Sequence, residues 1–487
     1  MGSAEGSEAR LRGDAEAIFR AALDRVEPAR MVRRALSLEE GQGGASLVAR
    51  TGLEEASYRL ADFDRITCLA FGKAAAPMAR GLEEALAALE AGGPGPARTA
   101  AARADARPKA PAPAWPVFAG GVAAAKKGHG GSLAKVRLVE AGHPVPDESS
   151  VAAARALLEA GSGLTERDLV VVLVSGGGSA ILCAPAEGLS LADKAETTRL
   201  LLASGATIQE ANCVRKHLSA VKGGRLAAAL APASVLALVL SDVVGDDLDA
   251  IASGPTVPDP TSFADALAVA RRRGIVDRLP PPVRARLEAG AAGRIPDTPK
   301  PGDPAFARTR TLLVGTNRLA LMAAEEKARE LGYATLALSS RVTGEAREAA
   351  LFYLGIGKDL AASGFPLKRP ACLLAGGETT VTLRGKGRGG RNQEMALAFL
   401  AALGRAPKDS GGLLFLAAST DGNDGPTDAA GAFASLGLLE AAREAGLDPE
   451  AYLAENDSYA FYERLGGLLK TGPTNTNVCD LQLILAT

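Results

Sequence analysis

The chain has 487 residues, 47% of them hydrophobic, and a formal net charge of −1. That length can bury a large core in two or three domains, and the near-neutral balance gives no reason to expect nucleic acid or an anionic membrane as partner. No apolar run reaches the roughly 20 residues that span a bilayer.

The opening stretch MGSAEGSEARLRGDAEAIF is polar and mixed in charge, unlike a secretory signal. Five scattered cysteines without C-x-x-C spacing suit a reducing cytoplasm and argue against a zinc site. Residues 14–60 read as helices from apolar spacing of three and four. ITCLAF (66–71) predicts a strand, and Gly72-Lys73 turns it into a helix running to Leu89. A cation at a helix start is unfavourable with the dipole unless an anion compensates. Lys73 is therefore a candidate phosphate-binding or catalytic ammonium. Residues 92–116, rich in Ala, Pro, Gly and Arg, cannot form a core and are expected to be a mobile insertion. Order resumes at VRLVEAGHPVPDE (136–148), where His143 can line a site but is better explained as a structural histidine at a rigid turn, and Asp147-Glu148 begins a helix.

VVVLVSGGGSAI (170–181) holds a strand buried on both faces, followed by Ser175, Gly176, Gly177, Gly178 and Ser179. Three glycines allow positive φ and close approach of the backbone to a ligand. Amides of such a turn can point together at an anion. A tight strand-to-helix turn without a ligand explains the same residues equally well, for the pattern is neither Walker A nor GxGxxG. Downstream, Arg215, Lys216, Lys222 and Arg225 crowd one region, with Arg215 and Lys222 on one helical face. Such a stripe is ordinarily a solvated face; its place just before another strand makes it a candidate polyanion surface.

That strand, SVLALVL (234–240), delivers Asp242, Asp246, Asp247 and Asp249 at the edge where open α/β sheets bind ligands. Carboxylates there suit Mg²⁺, although an Asx-turn cluster satisfies the same sequence. Ser253, Gly254 and Thr256 form a second small-residue turn. Residues 259–305 read as a Pro-rich connection around one short helix. The second half begins with strands at 311–317 and 334–339, then a strand–turn–strand at 371–383 with Glu378 in its loop. In RGKGRGGRNQE, glycines alternate with Lys386, Arg388 and Arg391, and a helix starts near Asn392. LLFLAAST (413–420) ends in an acidic loop containing Asp421 and Asp424, which lacks the full Ca²⁺ pattern.

Seven co-linear stretches together resemble the signatures of the type-2 glycerate kinase family, also known as the MOFRL family and formerly called hydroxypyruvate reductase. They are LVSGGGSA, NCVRKHLSAVKGGRLA, LSDVVGDDLDAIASGPTVPDPT, GGETTVTLRGKGRGGRNQE, ASTDGNDGPTDAAGA, NDSYAFYERLG and TGPTNTNVCDL. The resemblance implies an α/β fold of two domains with the active site in the cleft between them. A Rossmann-like parallel-sheet N-terminal domain (14–258) is followed by a linker region (259–305) and a smaller mixed α/β C-terminal MOFRL-type domain (306–487). It further implies ATP- and Mg²⁺-dependent phosphorylation of D-glycerate on its 2-hydroxyl in the cytoplasm, a homodimer being one compatible assembly. The lysine of the family's GKA motif falls on Lys73 and the arginine of GGRNQE on Arg391. The insertion at 92–116 and Asn475, where the family commonly has Gly, depart from the pattern.

On these grounds Lys73, Arg391 and Asp242 are expected to be catalytic. Ser175 to Ser179, Lys216, Lys222, Ser253, Gly254, Thr256, Glu378 and Asn392 are expected to bind the nucleotide, and Asp246, Asp421 and Asp424 the metal. Which aspartate is base and which is ligand stays open. An NAD(P)H-dependent hydroxypyruvate reductase is weakened by the missing GxGxxG unit with its acidic residue and by having three histidines. A sugar-acid-binding regulator does not explain metal-type carboxylates beside phosphate-type loops.

Overall fold

The computed structural model describes residues 2–41, 44–52, 54–91 and 115–487, so the expected insertion at 92–116 lies almost wholly outside the described residues. Contacts divide the chain into two units. One comprises Pro28–Ser241 and Asp246–Val314, the other Met1–Glu27, Asp242–Gly245 and Gly315–Thr487.

The first unit opens with an antiparallel meander of β1 (Leu36–Gly41), β2 (Gly44–Arg50) and β3 (Glu55–Arg59). This corrects the helical reading of the segment through residue 60. In β3 the inward residues alternate strictly with outward ones, the two-residue period of a strand. The six-stranded sheet follows: β4 (Arg65–Phe71), β5 (Val117–Lys126), β6 (Val136–Ala141), β7 (Asp168–Val174), β8 (Ser234–Leu240) and β9 (Thr309–Gly315). Its order is β6-β5-β4-β7-β8-β9, with the ladders β5–β6, β4–β5, β4–β7 and β7–β8 all parallel. Renumbered from its first strand this is the doubly wound order 3-2-1-4-5-6. Every residue of β7 and β8 is buried, as their unbroken apolar runs require.

β5 carries a weak strand signal in sequence, because VFAGGVAAAK offers small side chains where a strand is usually recognised by branched ones. Its smallness has a cause. Gly121 lies at φ +144°, and a Cβ there would collide with the Cys68 carbonyl of the adjacent β4.

The stretch 259–305, expected as a linker, contributes helices Phe263–Arg272 and Pro281–Ala291. Phe263, Leu267, Val283 and Leu287 share one core with Leu200 and Val214 from the helices Leu191–Ala203 and Ile208–His217 and with Leu218 just past the second. Prolines flank those helices without interrupting their apolar faces.

The second unit is built on a mixed sheet of β10 (Ala334–Val342), β11 (Ala371–Gly377), β12 (Leu413–Ser419), β13 (Gly431–Ser435), β14 (Leu468–Leu469) and β15 (Asp480–Ala486). The order is β10-β11-β15-β12-β13-β14; β10 and β11 are parallel and the other pairs antiparallel. The final strand therefore lies in the middle of the sheet. Beyond Gly377 the expected return strand is replaced by an isolated bridge between Glu345 and Thr380. Helix Arg391–Arg405 packs on β12 and β13 and buries most of its length. Helix Gly2–Arg25 joins this unit by packing on helix Asn317–Glu330, although its residues open the chain. Among the described residues no helix is long and apolar enough to cross a membrane.

Candidate active site

In a doubly wound sheet the crevice opens where successive crossovers leave in opposite directions, here between the carboxyl ends of β4 and β7. The chain leaves β4 through Gly72 at φ +123°, where a Cβ would fall on the Ser175 hydroxyl. The two strand ends are stitched together at that point. Lys73 N donates to the Gly176 carbonyl at 2.9 Å, Ala74 N to Ser175 Oγ at 3.0 Å, and Ser175 N to the Phe71 carbonyl at 3.1 Å.

Gly177, at φ +77°, has the imidazole of His143 on one side and the stem of Lys73 on the other. A Cβ there would lie 2.9 Å from the ring and 3.1 Å from Lys73 Cγ. Lys73 is half-buried and, among the described residues, makes no ion pair. Burial, then Lys73, Lys126 and His129, hold His143 down to about 4, so its imidazole is neutral at neutral pH. His143 stands just past the carboxyl end of β6, on the ligand edge of the sheet.

The other side of the glycine turn meets the second small-residue loop. Ser179 Oγ and Ser253 Oγ are 2.6 Å apart, and Lys222 Nζ donates to the Ser179 carbonyl at 2.8 Å. Gly223 N and Gly224 N donate to the carbonyls of Ser253 and Gly254 at 3.0 and 2.7 Å. Asp246, Ala252 and Ser253 all have positive φ. Non-glycine residues there cost about 1–3 kcal/mol each, strain that collects at functional loops. Lys216 and Thr256 stand apart from this turn in their own bonds. Lys216 Nζ is 2.8 Å from Asp249 and 3.3 Å from the fully buried Asp259, and the Thr256 hydroxyl is 3.4 Å from that of Thr311.

In the mixed-sheet unit Arg391 begins its helix and is gripped by carboxylates. Nε and Nη2 donate to the two oxygens of Asp480 at 2.6 and 2.9 Å, and Nη1 lies 2.8 Å from Glu378 Oε1. Asp424 accepts from Asn392 N at 3.1 Å, Asn392 Nδ2 at 3.2 Å and Gln393 N at 2.8 Å, closing the amides at the start of the helix. Burial, reinforced by Asp480, pushes Asp424 up to about 7 against those donors. Cys479 Sγ lies 3.4 Å from the Asp242 carbonyl oxygen and 3.9 Å from Glu378 Oε2. Asp242, Glu378, Arg391, Asn392, Asp424 and Asp480 thus form one neighbourhood. Asp480 was missed; its signal was a charged residue leading the apolar run LQLIL. Asn475, at φ +60°, holds a left-handed turn that Asn tolerates and Gly adopts freely, which accounts for the departure at that position.

Among the described residues no three His, Cys, Asp or Glu side chains converge as a metal cage. Asp424 does not fit the metal role expected of it, because both its oxygens serve the helix start. Asp421 accepts from Ser419 Oγ and Asn423 N at 2.9 Å each, as the anchor of its own turn. Mg²⁺ bound together with phosphates needs one or two carboxylates and no cage.

Two family models match the chain: a domain of unknown function, DUF4147, over residues 14–288, and the MOFRL family over residues 371–480. A glycerate 2-kinase of Pyrococcus horikoshii is 43% identical over 75% of this chain and 82% of its own length. A putative hydroxypyruvate reductase of Agrobacterium vitis is 45% identical over 76% of this chain and 82% of its own. The crystal structure of glycerate kinase from Thermotoga maritima superposes with a TM-score of 0.81 at 36% identity, covering 98% of this chain and all of that one.

Proposed function

Because the chain belongs to the glycerate kinase family, with its paired DUF4147 and MOFRL domains, we propose that it transfers the terminal phosphoryl group of ATP to the 2-hydroxyl of D-glycerate, yielding 2-phosphoglycerate and ADP. The observation that carries the reading is Lys73 at the crevice of a doubly wound sheet, on a glycine turn bonded to the Ser175–Gly178 turn. Phosphoryl transfer asks for positioning and charge neutralisation far more than for covalent chemistry. Glycine turns with a cation beside them supply both.

The amides and hydroxyls of Ser175 to Ser179, with Lys222, Ser253 and Gly254, are the proposed seat of the nucleotide phosphates. Lys73 is proposed to meet the charge that develops on the transferring group. In the mixed-sheet unit, Arg391 is proposed to recognise an anionic group of the substrate, held in orientation by Asp480 and Glu378. Asp242 is the proposed acceptor of the hydroxyl proton. Mg²⁺ would neutralise the nucleotide's charge; the candidate carboxylates are Asp246 in the parallel-sheet unit and Asp421 in the mixed-sheet unit.

A reductase is disfavoured on the same geometry. The first βα turn of this strand order is where a dinucleotide's pyrophosphate would meet GxGxxG, and here it reads Gly72-Lys73-Ala74-Ala75-Ala76. Parallel assays decide between them. Glycerate-dependent release of ADP is expected; NADH oxidation with hydroxypyruvate and no ADP release would overturn the reading.

A further inference from the structure

The parallel-sheet unit holds three cations on neighbouring elements that, among the described residues, have no carboxylate paired to them. Lys194 comes from helix Leu191–Ala203, Arg215 from helix Ile208–His217, and Lys222 from the turn that follows. Lys194 is 8% exposed and Lys222 2%, while Arg215 is partly open to solvent. Lys222 has the Ser179 carbonyl, and Arg215 Nη1 has Asn212 Oδ1 at 3.5 Å. Lys194 Nζ has no hydrogen-bond partner.

Among the described residues none of the three is in an ion pair. Lys216, on the same helix as Arg215, has two carboxylates. Hydrogen bonds tie two of them to one neighbourhood: Asn212 Oδ1 accepts from Arg215 Nη1 and from Ser253 Oγ, Ser253 Oγ is 2.6 Å from Ser179 Oγ, and Lys222 Nζ donates to the Ser179 carbonyl. Burial lowers all three; Arg215 and Lys194 lower Lys222 further and Arg215 lowers Lys194 further, while Cys183 acts the other way on each. A buried ammonium without a counter-charge is expensive, and like charges beside it add to the cost.

We propose that Lys194, Arg215 and Lys222 form a pocket for a phosphoryl group. A carboxylate carries one negative charge, whereas a phosphoryl group carries about two and offers three acceptor oxygens, matching several neighbouring donors. In the proposed reaction the occupant is the polyphosphate of the nucleotide, and to that extent the assignment rests on that reading. The excess of buried positive charge is independent of it. Free phosphate and the phosphorylated product share the chemistry and are separated by the test.

The test uses the full chain, wild type and Lys194→Met, titrated calorimetrically with ADP, 2-phosphoglycerate and inorganic phosphate, with melting followed in the presence and absence of each. Without anion, Lys194→Met is expected to melt no lower than wild type, because a repelled charge has gone. It is expected to lose at least tenfold in affinity for the occupant. Loss confined to ADP identifies the nucleotide, loss confined to 2-phosphoglycerate the product, and a parallel loss for all three a general phosphoryl pocket; each supports the pocket. Unchanged affinity for all three, or a variant that melts lower by the same amount with and without anion, overturns it. Should Lys194→Met fail to fold, Arg215→Gln is expected to show the same loss, and unchanged affinity there overturns the pocket equally. A wild type that binds ADP but shows no glycerate-dependent turnover would sink the kinase reading and leave the pocket standing.

Discussion

Arg391 and Asp480, 89 positions apart in the chain, form a bidentate pair in which Nε and Nη2 of the one meet both oxygens of the other. Asp480 is fully buried, so the pair is structural as well as a candidate for function. Removing one member strands a buried charge, at a cost of roughly 3–5 kcal/mol. Arg391→Ala is expected to be destabilised on that scale in denaturant melts. The double variant Arg391→Met with Asp480→Leu should recover most of the stability and none of the glycerate kinase activity. Restored turnover in the double variant would show that Arg391 serves the fold alone.

Lys73 offers the cleaner functional test. It makes no ion pair among the described residues and stands half-buried beside Gly177. Lys73→Ala is expected to lower kcat by about 10²-fold or more, with the melting temperature close to that of wild type. Near-native turnover would remove Lys73 from the reaction.

Gly72 joins the two strand ends. At φ +123°, with Ser175 where a Cβ would go, Gly72→Ala must break the bonds between the two turns or adopt a strained backbone. A loss of roughly 1–3 kcal/mol is expected, together with reduced activity even at temperatures where the variant is fully folded. An unaffected melting curve would mean that the turn accommodates a side chain.

His143 predicts a pH dependence. Its folded value is depressed to about 4 by burial and by Lys73, Lys126 and His129, against about 6.5 when unfolded. Between those values the unfolded chain binds more protons, so stability falls as the pH falls. The contribution is complete above about 6.5 and is lost by about 4. His143→Gln should flatten that part of the stability profile relative to wild type; an identical slope in both proteins would contradict the assignment.

Some of this architecture is legible in the sequence. β4, β7 and β8 are short apolar runs that end in glycine or acidic turns, and their neighbours in sequence are enough to mark them. Lys73 stood out because a cation at a helix start needs an explanation. β5 escaped because its residues are small to let the chain pass Cys68, a reason that lies on the neighbouring strand. Residues 259–305 look like a connection because prolines bracket helices whose apolar faces find partners 45 or more positions upstream.

By itself the sequence determined the α/β class, the glycine turns and the family, since these depend on residues adjacent in the chain. Only the tertiary structure decided which charges are spoken for. It pairs Arg391 with Asp480 and Lys216 with Asp259, takes Asp424 for a helix start, and leaves Lys194 without a partner. The reason is electrostatic: the worth of a charge is set by its burial and by what lies within a few ångströms, and both are fixed by the fold.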